Sequence, residues 1–443
     1  MATEIPNSIG LQEPSLPEVH SSVGISRSPL YWRRLLGFLG PGFLISVGYM
    51  DPGNWATDIA GGSRFGYTLL FVIMLSNLMA VLLQSLALKL GVATERDLAQ
   101  LCHENYGRKA SFFLWVGAEI AIAACDLAEV IGSAIALQLL FHIPLIYGVL
   151  ITGLDVLLIL LLQKWGFRYI EALVIALIGT ILGMFGVQMF LSRPDYWPAL
   201  HSLFIPSVSI VANPAMLYIA IGILGATVMP HNLYLHSSIV QSRRYKRTLE
   251  GKREAIHMAN MDSALALTLA LFVNAAILIV AAAVFHRSGH FEVAAIEDAY
   301  KLLSPLVGAG FASTLFAVAL LASGQNSSIT GTLAGQIVME GFIHLRVSPW
   351  LRRLITRGLA IIPTIIVVAV NGERGTEKLL ILSQVILSMQ LSFAVVPLVI
   401  FTGDRRKMGE FVNPRWLKML AWSTAVLIAV LNVWLLVQTA RGN

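Results

Sequence analysis

The sequence predicts an all-α polytopic membrane protein whose first and sixth helices are broken and whose two five-helix halves form an inverted 5+5 repeat with an eleventh helix added. Three observations carry that expectation. Hydrophobic residues fill 56% of the 443 positions and charged ones only 13%, against about 45–50% and about 25% in soluble domains. The apolar residues come in runs of about 20 or more, long enough for a helix to cross roughly 30 Å of hydrocarbon. Two of these runs, five apart, carry proline, glycine and polar groups in mid-run, the placement expected when two halves surround a midplane site.

Residues 1–35 are polar, contain Pro6, Pro14, Pro17 and Pro29 and lack an apolar h-region. They are expected to form a disordered cytoplasmic tail rather than a signal peptide. The transmembrane domain then occupies 36–440. Charge, Gly and Pro clusters bound spans near 36–60, 67–91, 110–140, 143–163 and 168–192, which make the first repeat. The second repeat holds spans near 214–241, 259–286, 307–342, 350–370 and 377–402, and the extra helix lies near 416–439.

Lys and Arg set the orientation. With the N-terminus cytoplasmic, 24 of the 31 fall on inner segments, as the positive-inside rule requires. The same rule accounts for the patch Arg243, Arg244, Lys246, Arg247, Lys252 and Arg253, so no nucleic-acid partner is inferred; such a loop also suits anionic lipid headgroups. Cys102 and Cys125 fall on an inner loop and in mid-membrane, which gives no disulfide framework. No Gly-rich phosphate loop and no Ser/His/Asp arrangement is evident. The reading is therefore neither an enzyme nor an ATP-driven pump, and no cofactor is expected.

The two broken spans carry the chemistry. The first contains Gly48-Tyr49-Met50-Asp51-Pro52-Gly53-Asn54, an acid at a depth where a charge costs at least about 2.5–3.5 kcal/mol. The sixth contains Gly225-Ala226-Thr227-Val228-Met229-Pro230-His231-Asn232. Each proline removes an N–H and denies the carbonyl four residues earlier its helical bond. The carbonyls so freed are those of Gly48 and Ala226. Such backbone is tolerated at membrane depth only where it lines a cavity or binds an ion.

These groups resemble a cation site. Asp51 supplies negative charge, Asn54 a neutral oxygen, and the two carbonyls further oxygens. Met229 adds a soft thioether, which favours transition metals over Mg²⁺ and Ca²⁺. Taken alone, a mid-membrane methionine is ordinary packing; its place beside a freed carbonyl and Pro230 is what marks it.

Asp51-Pro-Gly-Asn54 together with Met229-Pro-His231 resembles the Nramp family of proton-coupled divalent metal transporters, nearest its bacterial manganese-transporting branch. The run Gly324-Gln-Asn-Ser-Ser-Ile-Thr-Gly-Thr-Leu-Ala-Gly-Gln336 resembles the family's transport signature, and the resemblance spans 36–440. It implies a LeuT-type fold, a bacterial inner-membrane location and inward transport of Mn²⁺ or Fe²⁺, with Cd²⁺, Co²⁺ and Zn²⁺ as further substrates. It also implies that Asp51, Asn54 and Met229 bind the metal by side chains. The Ala226 carbonyl joins them, with the Gly48 carbonyl in the inward-facing state and Gln384 in the outward or occluded state. Gly48 replaces a common Ala, and Asn232 is a local variation.

Proton coupling needs titratable groups near the site. His231 is the natural candidate. The third span adds Glu119, Asp126 and Glu129, the last two on one helical face, and the ninth begins with Arg352 and Arg353. The resemblance implies that these groups form a proton exit route starting at Asp51. Two arginines near an inner interface also fit simple snorkelling, and His236 and Asn274 fit either a network or ordinary satisfied polar positions. The partners expected are divalent metal ions, protons and membrane lipid; an oligomeric state is not legible. An Nramp-related magnesium transporter is the alternative, and an amino-acid carrier of the same architecture would place Asp51 awkwardly beside a substrate carboxylate.

Overall fold

The computed structural model describes residues 14–25, 30–154, 165–293, 295–345, 348–371 and 374–440, and these are almost wholly helical. Seven segments among them are long and apolar enough to cross a membrane. The second, third, fifth and seventh spans are the helices Leu70–Thr94, Arg108–Phe141, Phe167–Ser192 and Leu249–Ala281. The eighth to eleventh are Ala312–Ile343, Pro349–Asn371, Arg374–Gly403 and Arg415–Ala440. The fourth is described only over Leu145–Thr152; the remainder of the expected 143–163 span lies outside the described residues.

The first and sixth spans are each two helices. Pro41–Val47 tightens through a 3₁₀ turn at Gly48–Met50 and stops, and Asp51 takes an extended backbone (φ −68°, ψ 164°) before Pro52–Phe65 begins. Pro214–Thr227 gives way to Val228 and Met229, both non-helical, before Pro230–Ile239. Pro52 and Pro230 each open the second half-helix, where the missing N–H is harmless and the fixed φ already suits the helix.

Glycines let neighbouring helices close on these breaks. A β-carbon on Gly132 of the third span would lie 2.2 Å from Cβ of Pro52, and one on Gly225 would lie 2.4 Å from the Gln384 carbonyl oxygen. Within the signature run, Gly324 faces Ser133, and Gly331 lies beneath the carboxylates of Glu129 and Asp126. The glycines of that run are therefore where the eighth helix receives the third.

The N-terminal end of the first span is tied down by charge. Asp262 of the seventh span accepts from the Gly40 and Gly42 amides at 3.2 and 2.6 Å, a carboxylate at the positive end of the Pro41–Val47 half-helix. Arg243 and Glu171, both fully buried, pair at 2.7 Å, and Arg243 also donates to the Leu39 carbonyl.

The N-terminal region departs from the expected disordered tail 1–35. Leu16 is buried and its amide donates to Glu340 at 2.9 Å. Val23–Gly24 pairs in parallel with Arg243–Arg244, and Tyr31–Phe38 is helical. The polar composition of this stretch conceals two apolar anchors, Leu16 and Val19, that pack into the main core.

Candidate metal-ion site

The two breaks meet at one side chain. Nδ2 of Asn54 lies 2.7 Å from Oδ1 of Asp51, 3.3 Å from the Gly48 carbonyl oxygen and 3.1 Å from the Ala226 carbonyl oxygen. Both carbonyls that the prolines free thus converge on a single point, together with the carboxylate. The amide nitrogen at that point is a positive-ended donor and stands in for a cation among three oxygens; a flip of the Asn54 amide would add its own oxygen to them. Asp51 also caps its half-helix by accepting from the Asn54 amide at 2.8 Å.

Met229 stands at the edge of this group. It is wholly buried in a small apolar cluster with Ala121, Cys125 and Leu387, and its Sδ lies 3.2 Å from where a β-carbon on Gly48 would sit. Gln384 of the tenth span reaches the first break from the other side: a β-carbon on Gly53 would fall 1.6 Å from its Nε2. The expected ligands Gly48, Asp51, Asn54, Ala226, Met229 and Gln384 are therefore brought together, and each is closed off from solvent. Both half-helices that end here, at Gly48 and at Thr227, turn carbonyls and the negative end of the helix dipole toward the site.

Of the residues expected to carry protons, Asp126 and Glu129 form one cluster. Glu129 accepts from Ser327 at 2.9 Å and from the Cys125 thiol at 3.6 Å, and faces the Arg357 guanidinium at 3.5 Å. Arg357 also donates to the Asp126 carbonyl at 3.4 Å and bonds Ser328. Glu119 lies two turns nearer the helix N-terminus, half-buried, and accepts from Trp115 at 3.2 Å. His231 is buried one residue past Pro230, with no hydrogen-bond partner to either ring nitrogen among the described residues. The side chains of Arg352 and Arg353 lie outside the described residues. The arginine seen on the acidic cluster is Arg357, one turn deeper, which the sequence reading passed over although it is the ninth span's most deeply placed charge.

Tyr49, Gln84 and Asp58 were given no role in the sequence reading. Tyr49 accepts from Gln84 at 2.9 Å, Gln84 meets His236 Nδ1 at 2.9 Å, and Asn274 donates to the Tyr49 carbonyl at 2.7 Å. These bonds make His236 and Asn274 members of a network beside the first break. Asp58, buried two turns beyond Asp51, adds an acid on the second half-helix, Pro52–Phe65; an intramembrane carboxylate is itself the signal that could have found it.

A sequence profile of the family described as Natural resistance-associated macrophage protein-like, Nramp, matches residues 42–438. The chain is 63% identical over 430 residues to the divalent metal cation transporter MntH of Mesorhizobium japonicum, across 97% of this chain and 95% of the relative. It is 64% identical over 429 residues to MntH of a Nostoc species, across 97% of each. Among solved structures, a manganese transporter of Eremococcus coleocola in complex with an aromatic bis-isothiourea substituted compound is similar, with TM-score 0.89 and 45% identity over 95% of this chain and 90% of that one. Mhp1, a nucleobase-cation-symport-1 family transporter in a closed conformation, shares the fold at TM-score 0.60 and 15% identity over 89% of this chain and 91% of its own. The chain is a member of the Nramp family with the LeuT-type fold.

Proposed function

We propose that this protein imports divalent transition-metal ions, Mn²⁺ foremost and Fe²⁺, Cd²⁺, Co²⁺ and Zn²⁺ as further substrates, by proton-coupled alternating access across a bacterial inner membrane with its N-terminus in the cytoplasm. One observation carries the reading: Asp51 and the carbonyls of Gly48 and Ala226 converge on one buried point, with the Met229 thioether beside it. One carboxylate and several neutral oxygens suit a dication, and the sulfur tilts the set from Mg²⁺ toward softer metals. The names of the relatives, divalent metal cation and manganese transporters, point the same way.

In this mechanism the two outer half-helices and the tenth span admit the ion from outside. Asp51, Asn54, Met229, Ala226 and Gln384 hold it while the cytoplasmic path is closed by Tyr49, Gln84 and His236. Release follows when Pro41–Val47 swings away and the Gly48 carbonyl takes part. Asp51 releases its proton as the metal binds. The proton passes by way of His231, Asp126 and Glu129 toward Glu119, with Arg357, Arg352 and Arg353 setting the charge along the way. An inside-negative potential adds about 2.3 kcal/mol per charge per 100 mV, so a dication is driven inward even without a pH gradient.

The test is Mn²⁺ uptake into proteoliposomes in the presence of excess Mg²⁺, for wild type and for Asp51→Ala. Uptake that resists Mg²⁺ and vanishes in the variant supports the reading; equal transport of Mg²⁺ overturns the choice of metal.

A further inference from the structure

Asn232 stands in the first turn of Pro230–Ile239 and is wholly buried. Its Nδ2 donates to the Ile45 carbonyl at 3.4 Å, in the half-helix that ends at the first break. Its Oδ1 has no partner among the described residues. Buried amide oxygens rarely go unbonded in folded proteins, and one that does calls for an explanation such as an ion or a water.

The neighbour that makes room for this amide is Gly48. A β-carbon there would lie 2.3 Å from Nδ2 of Asn232, far inside contact distance, and 3.2 Å from Sδ of Met229. The same residue offers its carbonyl to the convergence point on Asn54. Asn232 therefore occupies space beside the ion site that any larger residue at 48 would claim.

We propose that Gly48 and Asn232 act as a matched pair that tunes metal selectivity: glycine admits the amide, and the amide holds a free oxygen for the bound ion or one of its waters. The proposal rests on the metal reading above and adds a residue to it. A neutral oxygen adds more to the binding of Mn²⁺, which prefers oxygen donors, than to Cd²⁺, which draws more on the Met229 sulfur. Asn232 does not titrate, so its contribution is to affinity and selectivity rather than to proton transfer.

The test measures Mn²⁺ and Cd²⁺ affinities by calorimetry on purified protein for wild type, Asn232→Ala, Asn232→Leu, Gly48→Ala and the double variant Gly48→Ala/Asn232→Ala. Asn232→Leu keeps the branched side-chain shape and removes the amide, so the site stays filled while the oxygen is lost, which separates ligation from an emptied site. Both Asn232 variants are expected to weaken Mn²⁺ by about tenfold and Cd²⁺ by no more than about twofold. Gly48→Ala is expected to weaken Mn²⁺ at least as much, because the methyl displaces the amide. Adding Asn232→Ala to it costs nothing further, a non-additive result that marks residues in contact. Equal weakening of both metals overturns the selectivity role, and additive effects overturn the pairing. If wild type binds neither metal, the site reading itself falls, an outcome distinct from either of these.

Discussion

Replacing Met229 with leucine removes one sulfur from the site and little else. The side chain is fully buried among Ala121, Cys125 and Leu387, all apolar neighbours that a leucine of similar volume satisfies. A swap of this kind costs less than about 1.5 kcal/mol of stability, so the variant should fold and reconstitute. Its functional effect is larger. Of the six groups gathered at the breaks, the thioether is the one soft donor; the others offer oxygen. Without it, discrimination between Cd²⁺ and the oxygen-seeking Ca²⁺ and Mg²⁺ rests on charge and cavity size alone. The expected loss of the Cd²⁺-over-Ca²⁺ preference is about tenfold or more, equivalent to about 1.4 kcal/mol. The assay is uptake of each ion into proteoliposomes, normalised to reconstituted protein, with thermal stability in detergent measured alongside. A leucine variant that remains well folded and still excludes Ca²⁺ and Mg²⁺ as wild type does would refute the assignment of the sulfur as a ligand.

Three other substitutions probe different parts of the account. Gly53→Ala places a methyl 1.6 Å from Nε2 of Gln384, so the amide must retreat by roughly 2 Å to reach ordinary contact; Mn²⁺ affinity in this variant should fall to that of Gln384→Ala, and an unchanged affinity would remove Gln384 from the site. Arg357→Met leaves Glu129 without its facing guanidinium, and loss of one partner of a buried pair costs about 3–5 kcal/mol; lumenal acidification during Mn²⁺ uptake should drop much more than Mn²⁺ binding, whereas equal losses would make Arg357 purely structural. Burial pushes the Asp97 carboxyl, on the turn after the second span, up to about 6 from an ordinary 3.8. The folded protein then holds this proton more tightly than the unfolded chain, so the contribution to stability is present below pH 4 and lost as the pH rises through 6. Thermal melts from pH 7 to pH 4.5 should show wild type gaining on Asp97→Asn as the pH falls, and a constant difference would contradict the shift.

How far the sequence could be read followed from the kind of signal each feature leaves. The broken helices were legible because Pro52 and Pro230 dictate, by covalent geometry alone, which carbonyls lose their bonds. Gly48 and Ala226 could be named before any contact was known. That both carbonyls meet at Asn54 could not, because the meeting depends on how the first and sixth spans cross. The same limit hid the role of the glycines: the sequence displays Gly53, Gly132 and Gly331, but only packing reveals Gln384, Pro52 and the two acids of the third span against them. Arg357 was passed over beside Arg352 and Arg353, which read as a pair near the inner interface, although its depth in the span marked it. The docking of residues 14–25 rests on two buried apolar side chains and a two-residue strand pairing, and contacts so sparse and so distant in sequence leave no periodic trace.

Mn²⁺ uptake into proteoliposomes carrying an internal pH probe tests the central claim most directly. The account predicts that uptake acidifies the lumen, persists in excess Mg²⁺, and loses both metal and proton movement in Asp51→Ala. Mn²⁺ entry with no change in lumenal pH would leave the metal site standing and contradict the proton route through the third span; entry of Mg²⁺ as readily as Mn²⁺ would contradict the site's assignment to transition metals.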